Sequence, residues 1–146
     1  MQRSTSIVLE APAQQIWDHL QTDATTLDPA ILRFEVDPAP GLGARNTITF
    51  RGPFGLRLRA VSEVEAWEPP HRYAARSIRP SWPIRSRAED VLEELEGTTR
   101  YTVTISVRPR AGAGPLGRLW LRYMISTREQ MMRRLEAALD AADHGS

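Results

Sequence analysis

With 146 residues, 41% of them hydrophobic and 25% charged, the chain has the length and composition of one globular domain rather than of a disordered segment. Basic and acidic residues nearly cancel, and the net charge of +1 leaves no overall electrostatic footprint for nucleic acid or for an anionic membrane. Every basic residue is arginine and cysteine is absent, which excludes lysine Schiff-base or general-base chemistry, thiol nucleophiles, disulfides and cysteine-ligated zinc.

The opening MQRSTSIVLEAPAQQ contains no apolar run of signal-peptide length, and no later segment approaches the ~20 apolar residues of a membrane span, so a cytoplasmic protein is expected. Residues 4–10 are short and β-branched and predict a first strand. Pro12 then supplies the φ favoured in a helix's first turn, and Ala13, Ile16, Trp17 and Leu20 recur at helical spacing, predicting a helix over 12–22. TDATTLDPA, up to residue 30, has room for one more helical turn before the chain extends from Ile31 to Val36.

DPAPGLGA, residues 37–44, is dense in Pro and Gly and predicts a turn between strands, without phosphate-loop spacing. Asn46, Ile48 and Phe50 alternate with Thr47, Thr49 and Arg51, and Gly52 to Gly55 form the next turn. Beyond it Leu56, Leu58, Ala60, Ser62 and Val64 share a dry face, against Arg57, Arg59, Glu63 and Glu65 on a wet one. The Pro69-Pro70 pair ends that strand, His71 to Ile78 begins another, and residues 80–83 turn the chain again. Residues 86–95 form a strand with weaker alternation, and the one after it is the clearest, with Tyr101, Val103, Ile105 and Val107 facing one way.

Residues 116–142 carry Leu116, Leu119, Trp120, Tyr123, Met124, Thr127, Met131, Leu135, Ala138 and Leu139 at alternating spacings of three and four. Such a helix is about 40 Å long, enough to cross a small sheet. The order is therefore a strand, one or two helices, about six further strands and a closing helix, an α+β arrangement in which only the long helix can cover the meander. A curved sheet wrapped round one helix cannot touch it everywhere, so a gap is expected between them.

The stretches LEAPAQQIWDHLQTD, PGLGAR, VSEVEAWEPPHRYAAR and EGTTRYTVTISVRP, in this order, resemble the START and Bet v 1-like superfamily, specifically its bacterial polyketide cyclase/dehydrase and lipid-transport-like branch. The resemblance runs nearly the whole chain. It implies a single domain over 1–146 with the helix-grip fold, a curved antiparallel sheet of about seven strands round the C-terminal helix. It also implies a small hydrophobic ligand, a lipid or polyketide-like molecule, in the cavity between them. It brings no catalytic signature.

On this reading the cavity is lined by Phe50, Leu58, Tyr73, Ala75, Asp90, Tyr101 and Val103 from the sheet, and by Trp120, Tyr123, Met124, Thr127 and Met131 from the helix. Asp90 is the one candidate acid, base or ligand anchor. With Leu92 inward, Asp90 and Ala88 share the concave face and the carboxyl is desolvated; a register slipped by one residue turns Val91 inward and leaves Asp90 in water. Tyr73, Tyr101 and Tyr123 each read as core packing, yet on convergent elements they suit a polar-tipped pocket. Met and Trp on the helix stripe read first as core filler. His19, His71 and His144 lie far apart without metal-ligand spacing, and no metal or cofactor is expected. Arg57, Arg59, Arg76, Arg79, Arg85 and Arg87 interleave with Glu63, Glu65, Glu89, Glu93 and Glu94, as cross-strand ion pairs on a wet face would; an alternative is that the Arg79 to Arg87 turn stands at the cavity mouth and attracts an anionic headgroup or a carboxylate.

Three functions remain open from sequence: a binding or transport protein for a small hydrophobic ligand, a polyketide cyclase or dehydratase working by proton transfer at Asp90 and the tyrosines, and a toxin-like or regulatory protein-interaction module. No nucleic-acid partner is expected, and the chain is read as a monomer or homodimer.

Overall fold

β1 (Gln2–Leu9) runs into Pro12, whose carbonyl accepts the N–H groups of Gln15 and Ile16 and so starts α1 (Ala13–Thr22). Ala13, Ile16 and Trp17 form the buried side of α1, as the spacing predicts. The structure is a computed structural model and describes residues 1–22, 27, 30–79 and 84–144. The extra helical turn expected before residue 30 and the turn at 80–83 lie largely outside the described residues.

The remaining strands are β2 (Ile31–Asp37), β3 (Arg45–Arg51), β4 (Arg57–Glu68), β5 (Arg72–Arg79), β6 (Ile84–Leu95) and β7 (Thr98–Pro109), and α2 (Gly114–His144) closes the chain. They form one seven-stranded antiparallel sheet in the order β1-β7-β6-β5-β4-β3-β2. Consecutive strands are neighbours because short turns join them, and only β1 must travel, pairing with β7 from Gln2 opposite Ser106 to Leu9 opposite Thr99. This is the expected helix-grip arrangement.

The helix does not lie centrally in the sheet's curve. Its backbone approaches β7 and β1 most closely, and there Tyr101, Val103, Ile105 and Val107 are fully buried against Leu121, Ile125, Met132, Leu135 and Leu139. Gly117 permits the approach: a Cβ on it would meet the Pro109 ring at 3.0 Å.

Several expectations are corrected. Leu116 and Leu119, in the first turns of α2, are exposed, and no described residue buries them. Leu121, Ile125 and Met132, outside the predicted stripe, are buried because the sheet wraps more than one side of the helix. Leu56 sits in the turn before β4 and is exposed rather than inward. On β4 the alternation holds through Val64, after which a register shift between Val64 and Ala66 exchanges the faces, so that Trp67 stands opposite Tyr73.

Outside the curve the charges pair. Arg72 reaches Glu68 and Glu89, Arg76 reaches Glu63 and Glu65, and Arg87 reaches Glu65 and Glu89. Each such pair, screened by water, contributes roughly 0–1 kcal/mol.

Candidate functional site: a cavity with one polar pole

Small side chains create the hollow. Among the inward positions of the three middle strands, Ala60 and Ser62 on β4, Ala75 and Ser77 on β5, and Ser86 and Ala88 on β6 are small, and the register sets Ser62 opposite Ser77 and Ala75 opposite Ala88. With little bulk on the sheet and α2 drawn toward β7, a cavity of about 220 Å³ remains. Two aromatic groups bound it. Trp17 meets Trp67 edge-on at 5.2 Å and Trp67 meets Tyr73 at 6.0 Å, while Phe50 meets Trp120 at 5.6 Å and Trp120 meets Tyr123 at 6.0 Å.

Of the residues expected to line the cavity, Phe50, Tyr73, Ala75, Asp90, Trp120, Tyr123, Met124, Thr127 and Met131 do so. Three do not. Val103 is fully buried beneath α2, Leu58 lies over Gly52 at the start of β4, and the Tyr101 ring is enclosed in the packed flank. Of the histidines, His71 is exposed 3.7 Å from Glu94, His19 is half-buried on α1, and the side chain of His144 lies outside the described residues. Among the described residues no cluster of His, Asp and Glu could hold a metal ion.

Asp90 lies on the inward face with Ala88 and Leu92. The Tyr101 hydroxyl donates to its Oδ2 at 2.9 Å, and Oδ1 is the one buried side-chain polar atom without a hydrogen-bond partner among the described residues. Burial raises the Asp90 pKa; the positive charge of Arg128 and the Tyr101 hydrogen bond oppose that shift without cancelling it. Opposite Asp90 on β5 stands Tyr73, whose pKa is pushed up to about 12 by burial and by the Asp90 charge, so its phenol keeps its proton. Asn46 Nδ2 donates to the Tyr73 oxygen at 2.7 Å, leaving the phenolic hydrogen to be donated elsewhere.

Asn46 and Arg128 were not singled out from sequence, although both had a signal. Asn46 shares the alternating face of Ile48 and Phe50, and Arg128 follows Met124 by four residues on α2 and so falls among its cavity-facing residues. Ile31, Phe34 and Ile48 complete the wall toward β2.

A carboxyl with a raised pKa, a protonated phenol and a guanidinium thus meet in a cavity whose remaining lining is largely apolar. They can hold one polar group of a guest or move one proton. The model of the family described as polyketide cyclase / dehydrase and lipid transport matches residues 2–140. The chain belongs to that family. Among solved structures, the Zhui aromatase/cyclase from Streptomyces sp. R1128 is similar at a TM-score of 0.81 and 14% identity, covering 97% of this chain and 94% of that one. TTHA0849 from Thermus thermophilus is similar at 0.77 and 19% identity over 97% and 99% of the two chains. Ara h 8.0201 is similar at 0.75 and 14% identity over 97% and 98%. At these identities the likeness is one of fold. No curated protein sequence matches the chain. No described helix is long and apolar enough to cross a membrane.

Proposed function

We propose that this member of the family binds a small apolar compound carrying one hydrogen-bond donor, with that donor on Asp90 Oδ1 and the apolar body among Phe50, Trp120, Met124 and Met131. The observation that carries the reading is the partnerless Asp90 oxygen at the wall of a cavity otherwise lined largely by apolar groups. A buried acceptor left unpaired costs about 1–3 kcal/mol, a cost that a guest's hydroxyl or N–H would remove.

Size narrows the class of guest. The cavity's 220 Å³ falls below the ~300–1,000 Å³ of common ligand pockets, and an apolar space of ~150 Å³ holds benzene. A compound of one or two rings, or a short chain, fits; a two-chain lipid does not without the walls moving. Titration of 2-naphthol and of naphthalene against tryptophan fluorescence tests this. The naphthol should bind more tightly by about tenfold, the value of one charge-assisted hydrogen bond. Equal affinities, or a naphthol preference unchanged in Asp90→Asn, would remove Asp90 as the anchor.

The second reading is the acid-base cyclase or dehydratase. It is favoured by the raised pKa of Asp90 beside the protonated Tyr73, a pair able to donate and accept a proton at one point. Assay with poly-β-ketone substrates of several lengths checks it, and the absence of any rate above background that Asp90→Asn lowers would count against it.

A further inference from the structure

The net charge of +1 conceals a separation of charge along the strands. No Asp or Glu occurs in 51–62, in 69–88 or in 97–128. The antiparallel order brings the ends of these segments together: Arg51 stands opposite Arg57, Arg85 opposite Arg108, and the first turns of α2 are held at the same end by the contact of Phe50 with Trp120. Arg51, Arg57, Arg59, Arg79, Arg118 and Arg122 are exposed there, and none has a carboxylate partner among the described residues. Acidic groups collect at the other end, with Glu68 closing β4, Glu93 and Glu94 near the end of β6, and Glu136 and Asp140 late in α2.

The basic end also exposes bulky apolar groups, although Leu42 at the opposite end is exposed too. Phe54, in the 3-10 turn Pro53–Gly55 between β3 and β4, is 90% exposed, and Leu56 beside it is 58% exposed. Phe54 holds φ 63 and ψ 20, a left-handed conformation unfavourable for an aromatic residue. Folding of the isolated chain gains nothing from that strain or that exposure, which points to a role outside the fold. Leu116 and Leu119 add apolar surface at the start of α2.

We propose that this end of the molecule docks on an anionic lipid surface, with Phe54 and Leu56 entering the interface and the surrounding arginines on the headgroup phosphates. Apolar residues projecting from a basic rim match both layers of such an interface, the phosphates and the hydrocarbon beneath them. A projecting turn also offers no pocket for the side chains of a protein partner, whereas a fluid interface conforms to it. The inference does not depend on Asp90 or on what fills the cavity.

Co-sedimentation of the full chain with vesicles tests it. Vesicles of phosphatidylcholine containing about 30% phosphatidylglycerol should retain the protein at low salt, and pure phosphatidylcholine should not. Raising salt to about 0.5 M should release most of it, because the Debye length falls below the spacing of the charges. Phe54→Asn is the informative variant, since asparagine tolerates the left-handed conformation and so should fold at least as well as the wild type. It should lower the bound fraction about tenfold, and the triple change of Arg51, Arg57 and Arg59 to Gln should do the same. The proposal is overturned if the wild type stays in solution with anionic vesicles. It is equally overturned if Phe54→Asn binds as the wild type does, or if the protein prefers single-stranded DNA or an acidic protein to the vesicles.

Discussion

The two flanks of α2 differ in what faces them. Toward β7 the inward residues are Tyr101, Val103, Ile105 and Val107, which are fully buried; toward β4, β5 and β6 many are alanines and serines, which leave space open. The same helix therefore serves as half of a solid core and as the lid of a hollow. Stability resides in the first flank, and binding capacity is the volume that the second fails to fill. The contrast repeats on β6, where consecutive carboxyls face opposite ways. Burial tends to raise the Glu89 pKa, but hydrogen bonds and charge from Arg72 and Arg87 outweigh it and hold the group below the usual carboxylate range. Asp90, buried on the inner face with one orphaned oxygen, is raised instead.

The strongest test of the contrast is to hollow out the solid flank. Ile105→Ala, at a fully buried position, should cost about 3 kcal/mol in urea unfolding, whereas Met124→Ala on the half-buried cavity wall should cost clearly less than half of that. Equal losses would mean that the two flanks are packed alike. Tyr101→Phe comes next: it removes the hydrogen bond donated to Asp90 Oδ2 and should cost about 1–3 kcal/mol. The pH dependence sharpens the Asp90 contrast. An acid whose folded pKa lies above its unfolded one makes the folded state bind more protons between the two values, so stability is lost as pH rises from the ordinary 3.8 through the raised value. The melting temperature of Asp90→Asn relative to wild type should accordingly improve between acid and neutral pH; a constant difference would show that the Asp90 carboxyl has the same pKa in the folded and the unfolded chain. Filling the hollow should have the smallest effect on stability and a large one on binding. Ala75→Leu should change unfolding by less than about 1.5 kcal/mol while abolishing the 2-naphthol fluorescence response.

Much of the site could be read before the fold was known. Alternation in residues 98–109 identified the inward face of β7, and the paired anchors Leu92 and Ala88 placed Asp90 inward in one of two registers. Leu58, Tyr101 and Val103 were read as cavity wall because pattern marks a dry face without saying whether a helix or empty space lies against it. Trp67 escaped notice because the register shift on β4 reverses the alternation halfway along the strand. Asn46 and Arg128 sit on faces that the pattern marks as dry, but their role is legible only when the groups that converge on them, here Tyr73 and Asp90, are known to be close.

By itself the sequence determined the elements, their order, the dry faces of β7 and of the first half of β4, and the small residues of the middle strands, since these are encoded at periods of two or of three to four residues. Tertiary structure alone decided that α2 lies against β7 and β1, and so which dry surfaces meet and which enclose a void. Volume between two surfaces depends on their separation, and no local pattern records a separation.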